Sequence, residues 1–147
     1  MNIREASIDD AIKIKDLVSS LSHFYFEDDN SILPSWFSDT LVISEFENRL
    51  KSDDFTNLVY ILNEEIVGYI SIKGSSHIYH LFVAENHQGK GISKELWNRV
   101  ISTSGVDTYT VRSSIFAVPV YKSFGFKISG EMASKDGIKF QPMELVC

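Results

Sequence analysis

The sequence has very little cysteine, few prolines and no long apolar run. Its single cysteine, Cys147, is the last residue and has no partner for an internal disulfide. We expect no catalytic thiol there, because reactive cysteines need a structured, electropositive environment. No apolar stretch approaches the roughly 20 residues that span a bilayer, and the N-terminus lacks a basic region followed by an apolar stretch. These absences predict a cytoplasmic protein without a membrane partner.

An excess of positive charge is also missing. The chain has 14 Lys and Arg residues against 20 Asp and Glu residues, which gives a formal net charge of −6. Nucleic-acid binding relies on basic side chains that neutralise phosphates, so we expect no nucleic-acid partner. The negative charge is compatible with a cationic substrate such as an amine, and equally with an ordinary acidic protein. No His/Cys cluster has the spacing of metal ligands, so we expect no metal.

The length and composition predict one domain over residues 1–147. The chain has 147 residues and a hydrophobic content of 44%, which is enough for a sizeable core.

A strand, a glycine loop and a helix follow one another between residues 77 and 101. Residues 77–83 are apolar and rich in aromatic and β-branched types, as in a buried strand. The loop Gln88-Gly89-Lys90-Gly91-Ile92-Ser93 comes next. From Ile92 onward, apolar residues recur with helical spacing. The apolar residues of that face are Ile92, Leu96, Trp97, Val100 and Ile101.

This order predicts a seat for a phosphate or diphosphate. The first turn of a helix exposes backbone N–H groups without internal partners, and the helix dipole adds positive potential there. Glycines remove the side chains that would hold an anion away, and Lys90 and Lys94 add positive charge. The alternative is an ordinary tight turn before a helix, because short glycine motifs are weak evidence.

Two motifs resemble those of a known family. Gln88-x-x-Gly91-x-Ser93 is similar to the acetyl-CoA signature of the GCN5-related N-acetyltransferase superfamily, Gln/Arg-x-x-Gly-x-Gly/Ala. The serine is a small departure that still lets a backbone approach a diphosphate. Downstream, the stretch from Ala117 through Tyr121 to Phe126 is similar to the family's closing motif, Ala-x-x-x-Tyr-x-x-x-Gly-Phe. The resemblance covers the whole chain and is strongest over residues 66–130.

The pattern of the whole chain predicts the element order β-α-α-β-β-β-α-β-α-β-β. Strands are predicted over 2–6, 57–62, 66–73, 77–83, 107–112, 126–132 and 138–146, and the last two should form a hairpin. Ser7 should cap the first helix, and Ser38 or Asp39 the second. This order fits an α/β fold, a three-layer α/β/α sandwich with a mixed central sheet. The resemblance adds that the sheet is splayed, as in the acyl-CoA N-acyltransferase fold, with the pantetheine arm of the cofactor in the gap.

The resemblance implies acetyl-CoA as the acetyl donor. Backbone N–H groups of the loop should anchor it, and Leu81 and Val83 on the preceding strand should offer backbone groups to the pantetheine and the thioester carbonyl. The expected loop contacts are Gln88, Gly89, Lys90, Gly91, Ile92 and Ser93. The family often has Asn where this chain has Arg112. Either Ser113 or Ser114 takes that role, or Arg112 binds a cofactor phosphate or an acidic substrate.

Tyr121 and His77 are the catalytic candidates that the resemblance provides. Tyr121 matches the motif tyrosine near the cofactor sulfur, and a phenol can donate a proton to a thiolate at neutral pH. The alternative is a core tyrosine. His77 lies eleven residues before Gln88, where a number of family members place a base, although others use only ordered waters. Strand alternation predicts that Tyr79 shares the face of His77 and that His80 points the other way.

The segment 22–37 is both aromatic and acidic. In the resembled family, the segment between the first two helices commonly lines the acceptor site. On this interpretation Phe26 shapes the pocket beside Tyr79, while Glu27 and Asp28 attract a cationic amine. The alternative is a solvated acidic turn.

The sequence therefore predicts an N-acetyltransferase that acts on a small-molecule amine by direct attack, without a covalent enzyme intermediate. One alternative is an acyl-CoA-binding module with little or no catalysis. Another is an acetyltransferase for protein N-termini or lysines. Dimers are common in the resembled family, so a homodimer is compatible with it.

Overall fold

The computed structural model describes residues 2–21, 42–135 and 138–147. In these ranges the strands are β1 (Ile3–Glu5), β2 (Phe55–Leu62), β3 (Glu65–Lys73), β4 (His77–Val83), β5 (Thr108–Ser114), β6 (Lys127–Ile128), β7 (Ala133–Lys135) and β8 (Ile138–Val146). The helices are α1 (Ala11–Ser20), α2 (Ile43–Lys51), α3 (Ile92–Ser104) and α4 (Val118–Ser123). None of these helices is long and apolar enough to cross a membrane.

The strands form one mixed sheet with the order β1-β2-β3-β4-β5-β8-β6, and β7 also pairs with β8. The β4–β5 pair is parallel, whereas the neighbouring pairs are antiparallel. Helices α1 and α2 pack their apolar side chains on one face of the sheet, and α3 and α4 pack theirs on the other. The predicted three-layer α/β/α sandwich with a mixed central sheet is therefore confirmed.

Two hydrophobic cores fill the spaces between the layers. On the α1–α2 face, an apolar stripe of α1 is buried against β2, β3 and β4, and its helical periodicity is typical of a surface helix. On the α3–α4 face, Trp97 of α3 stacks on Phe124 and meets Tyr109 edge-on. The buried residues of the α1 stripe are Ala11, Ile14, Leu17, Val18 and Leu21.

The centre of the sheet is a fork between β4 and β5. The two strands pair only at His77 with Thr110 and at Ile78 with Val111. Beyond these pairs the strands separate, while β4 stays paired with β3 and β5 stays paired with β8. The splayed sheet that the resemblance implies is therefore present.

A β-bulge lies at the point where the fork opens. Ser71 of β3 is opposite His80 and Ile72 is opposite Ile78, so Tyr79 is an extra residue in β4. The bulge breaks the simple alternation of side chains. His80 consequently lies with Phe46 and Phe82 on the α1–α2 face. The prediction that His80 points away from the face of Tyr79 is wrong for this reason.

The predicted strand 126–132 is also wrong as a single element. Only its residues 127–128 form a strand, β6, and the chain pairs with β8 again at β7, after a break opposite Pro142. The N–H of Ser129 donates to the carbonyl oxygen of Pro142 at 3.1 Å. Because the nitrogen and the carbonyl oxygen of one strand residue face the same neighbouring strand, the Pro142 nitrogen also faces this side of β8. Because proline has no N–H, the ladder lacks a donor at this position. The two residues at the turn of the predicted hairpin, 136 and 137, lie outside the described residues.

Gly68 of β3 allows α3 to pack closely on the sheet. A Cβ atom at this position would lie 3.0 Å from Cγ2 of Ile92, 3.1 Å from Cβ of Tyr60 and 3.2 Å from Cδ1 of Leu96. Ile92 is the first residue of α3. The absence of a side chain at Gly68 thus determines how near the helix N-terminus lies to the strands.

We predict that Gly68→Ala lowers the free energy of unfolding by about 1–3 kcal/mol, because overpacking forces α3 away from the sheet. Denaturant unfolding measures the change. Gly130→Ala is the control, because its added Cβ would make an ordinary 3.6 Å contact with Pro142. Equal stability of the two variants would contradict the close packing at Gly68.

Candidate active site

A cleft of about 280 Å³ lies in the fork between β4 and β5. Its walls come from both strands, from the loop before α3 and from the start of α4. The lining residues that the sequence predicts as site candidates are Tyr79, Leu81, Val83, Gln88, Gly89, Gly91, Ile92, Ser93, Arg112, Ser113, Ser114 and Tyr121. The fork therefore brings the glycine loop and the closing-motif tyrosine to one cavity.

The N-terminus of α3 opens into this cleft without a side-chain cap. Gly91 is the N-cap residue, with φ of 82°, and Gly89 has φ of 80°. Both are left-handed conformations that favour glycine. No other atom lies within 4 Å of where their Cβ atoms would be, so the space before the helix is open. The first backbone bond of the helix joins the N–H of Glu95 to the oxygen of Gly91. The N–H groups of the helix residues before Glu95 have no acceptor within the helix, so they are available to an anion.

Polar contacts connect the glycine loop to its surroundings. Gln88 donates from Nε2 to the carbonyl oxygen of Val83 at 3.0 Å, which ties the loop to the end of β4. Lys90 does not line the cleft; its Nζ lies 3.5 Å from Nδ1 of His87. Lys94 places its Nζ 5.2 Å from the ring centroid of Phe124. The two lysines add positive potential around the helix N-terminus.

Tyr121 of α4 is buried in the opposite wall of the cleft. Its ring meets Phe124 and Phe126 edge-on, with centroids 6.0 Å and 5.6 Å away. Burial raises the pKa of the Tyr121 phenol above its ordinary value. The phenol is therefore protonated at neutral pH and can serve as a hydrogen-bond donor in the cleft.

His77 lies at the closed end of the fork. Its Nδ1 is 2.8 Å from Oγ1 of Thr110, across the last paired positions of the two strands. Partial burial lowers the pKa of His77, and the positive charges of Arg112 and Lys73 lower it further. The imidazole is therefore neutral at pH 7, but His77 is not among the residues that line the cleft.

His80 follows the bulge in β4 and lines the cleft. It is 8% exposed, and neither of its ring nitrogens has a hydrogen-bond partner in the part of the chain that the structure describes. Burial lowers the pKa of His80 to about 3, and the charge of Arg49 acts in the same direction. Arg49 belongs to α2 and stacks over the rings of Phe46 and Tyr79, at 4.5 Å and 5.2 Å from their centroids.

Comparison with known proteins identifies this architecture. The family described as "Acetyltransferase (GNAT) domain" matches residues 26–147. The chain belongs to the GNAT acetyltransferase family. It is accordingly an acetyl-CoA-dependent N-acetyltransferase. No protein of curated function matches the chain.

Solved structures share the fold of this acetyltransferase at low sequence identity. PaiA N-acetyltransferase from Thermoplasma acidophilum, in complex with coenzyme A, is 17% identical with a TM-score of 0.78, covering 99% of this chain and 98% of that one. Ribosomal-protein-alanine N-acetyltransferase from Brucella melitensis is 22% identical with a TM-score of 0.73 over 100% of both chains. An aminoglycoside 6′-N-acetyltransferase complexed with coenzyme A is 15% identical with a TM-score of 0.70, covering 99% and 97%.

The wall of the cleft at the end of β5 includes both serines that the sequence offers as candidates. Ser113 is buried and donates from Oγ to the carbonyl oxygen of Ser114, and Ser114 Oγ accepts the N–H of Ala117. Ala117 is the first residue of the closing motif, so this motif in the sequence indicates the residues that form this wall of the cleft. The lining residues without a sequence prediction are Leu21, Phe82, Val111, Phe116 and Val120.

The expected acceptor contacts from the first loop cannot be placed. Phe26, Glu27 and Asp28 lie outside the described residues. Tyr79, the other predicted acceptor contact, is within the described residues and lines the cleft beside His80, with ring centroids 4.6 Å apart.

We predict that Gly91→Ala weakens coenzyme A binding by about tenfold or more, because an Ala residue is strained at positive φ and its methyl group covers the open amides. Isothermal titration calorimetry measures the dissociation constant. Gly105→Ala is a matched control: Gly105 caps the other end of α3, has φ of 67° and also faces open space. Equal losses of affinity in both variants would contradict an anion seat at Gly91.

Proposed function

We propose that this acetyltransferase transfers the acetyl group of acetyl-CoA to a primary amine of a small molecule by direct attack. One observation carries the proposal: a single cleft joins the uncapped N-terminus of α3 to Tyr121 through the gap between β4 and β5. No cysteine lines this cleft in the described part of the chain, and Cys147 is exposed. Direct attack requires no enzyme nucleophile, which agrees with this lining.

The glycine loop is the proposed site for the diphosphate of acetyl-CoA. Backbone amides of Gly89, Gly91, Ile92 and Ser93 are suited to phosphate oxygens, because a helix N-terminus combines free donors with positive potential. Gln88 would hold the loop in place through its bond to Val83. Lys90 does not line the cleft, but its positive charge would attract the diphosphate.

The gap between the strands is the proposed site for the pantetheine arm. Beyond Ile78 and Val111 the two strands share no backbone pairing. Backbone groups on these facing edges need other partners, because a buried unpaired N–H or C=O group is unfavourable. The amides of a pantetheine arm can supply them at Leu81 and Val83. Ser114 at the end of β5 is the proposed polar contact on the other side.

In the reaction, the neutral amine of the acceptor attacks the thioester carbonyl carbon. A C–N bond forms, the C–S bond breaks, the nitrogen loses a proton and the sulfur leaves as a thiolate that is protonated. Tyr121 would donate a hydrogen bond to that sulfur. Its raised pKa keeps the proton available and makes it a weak acid, so stabilisation of the developing charge is the main effect. His77 is neutral at pH 7 and could take up the amine proton through water.

A small molecule fits the cleft better than an extended polypeptide does. Its volume of about 280 Å³ is at the lower end of ligand pockets, and it must hold the cofactor arm as well as the acceptor. We propose that the acceptor contacts Phe26, Glu27, Asp28 and Tyr79. A homodimer is compatible with this proposal, because dimers are common in the family. If only peptide N-termini or lysine side chains were acetylated, the acceptor would instead be protein.

Incubation with acetyl-CoA and a panel of amines tests the proposal by release of free thiol. We expect turnover of small primary amines. Binding of coenzyme A without turnover on any amine would support the alternative of a binding module.

We predict that Tyr121→Phe lowers kcat by about 100-fold or more and leaves the dissociation constant of coenzyme A nearly unchanged, because only the proton donor is removed. The aromatic packing on Phe124 and Phe126 is kept, so the variant should fold. Tyr60→Phe is the control, since Tyr60 is buried in the same core but does not line the cleft. An unchanged kcat for Tyr121→Phe would exclude this role.

A further inference from the structure

A buried imidazole without a partner faces the cleft. His80 is nine-tenths buried, and within the described ranges both of its ring nitrogens lack a hydrogen bond. Buried polar groups in native proteins are nearly always satisfied, and leaving one unpaired is unfavourable. Because His80 lines the cleft, a bound molecule can supply the missing hydrogen bond.

An arginine lines the same cleft. Arg112 of β5 is exposed, and its guanidinium lies 5.9 Å from the ring centroid of Phe140. Among the described residues, no carboxylate is within ion-pair distance of Arg112. No Asp or Glu side chain is found in the described lining of the cleft either. Arg112 is thus a positive charge in the described lining of the cleft, although the whole protein carries a net charge of −6.

Both residues lie where the fork begins. Arg112 follows Val111, the last paired residue of β5, and His80 is two residues beyond Ile78, the last paired residue of β4. The rings around His80 and the Phe140 ring below Arg112 belong to the α1–α2 face, so the two side chains are on the same side of the sheet.

The proposed binding site for the diphosphate is at the other end of the fork, at the N-terminus of α3. The strand from Tyr79 to Val83 covers about 13 Å, at about 3.3 Å per residue, before the glycine loop begins. Arg112 is therefore far from the diphosphate and closer to where the thioester would lie. This separation favours a role toward the acceptor over one toward the cofactor.

We propose that His80 and Arg112 form an acceptor subsite for an amine that also carries a carboxylate, with His80 accepting a hydrogen bond from the amine and Arg112 pairing with the carboxylate. This inference rests on the proposed acetyl transfer and names its substrate class. A single guanidinium suits a planar carboxylate, which it can bind through two parallel hydrogen bonds.

The imidazole is suited to hold a neutral amine. Because the pKa of His80 is lowered to about 3, its ring stays uncharged and keeps one nitrogen as an acceptor. A hydrogen bond from an amine N–H to that nitrogen leaves the amine lone pair directed elsewhere, toward the thioester carbonyl.

Matched acceptor pairs test the subsite. Phenylalanine is compared with phenethylamine, lysine with cadaverine and β-alanine with ethylamine, each with acetyl-CoA and the intact protein. Members of a pair differ by the carboxylate alone. Thiol release gives kcat/KM, and we expect a preference of roughly tenfold to hundredfold for the carboxylate member of at least one pair.

Variants assign that preference to the two side chains. Arg112→Gln should abolish the preference by lowering kcat/KM for the carboxylate member alone, and Arg112→Lys should keep part of it. His80→Phe should raise the KM for both members by about tenfold or more, whereas His80→Gln, which keeps a hydrogen-bonding group, should recover part of the loss. Calorimetry should show an unchanged dissociation constant for coenzyme A in all four variants, which also verifies that they fold.

The outcomes separate this proposal from the broader one. Equal kcat/KM for both members of every pair, or an unchanged preference in Arg112→Gln, would overturn the subsite and leave acetyl transfer to amines intact. A loss of coenzyme A affinity in Arg112→Gln would also overturn it, because Arg112 would then serve the cofactor. Failure of every amine to release thiol would overturn both proposals.

Discussion

The separation of β4 from β5 is the constraint on which the rest of the structure depends. Two parallel pairs hold the strands together, and each strand then follows its own antiparallel neighbour. A continuous sheet would leave no cavity at this position. The bulge at Tyr79 lies at the opening, and bulges bend a strand and increase its local twist. The cleft is thus a consequence of how the sheet is paired.

The surrounding layers keep this opening in place. Gly68 lets the start of α3 lie directly on β3, so the uncapped amides are brought to the end of the fork. On the same face, Trp97 stacks on Phe124, and Phe124 in turn packs against Tyr121. The core that stabilises α3 therefore also positions the phenol. A substitution in these contacts would therefore change both the packing of α3 and the position of the phenol.

Local sequence patterns predicted most of the layers but not the geometry of the fork. The strands predicted over 57–62, 66–73 and 77–83 and the apolar face of α3 depend on local periodicity alone. The bulge at Tyr79 depends on the pairing of β4 with β3, so alternation alone placed His80 on the wrong face. Pro142 could have indicated the interruption opposite it, because a proline inside a paired strand removes a donor. The roles of His77 and Tyr121 came from motifs of the family, and they stay predictions.

A crystal structure of the acetyltransferase with coenzyme A bound tests the central claim most directly. The account predicts the diphosphate on the amides of residues 89–93, the pantetheine arm between β4 and β5, and the sulfur within hydrogen-bond reach of the Tyr121 hydroxyl. A diphosphate bound away from the N-terminus of α3, or a pantetheine arm outside the fork, would contradict it.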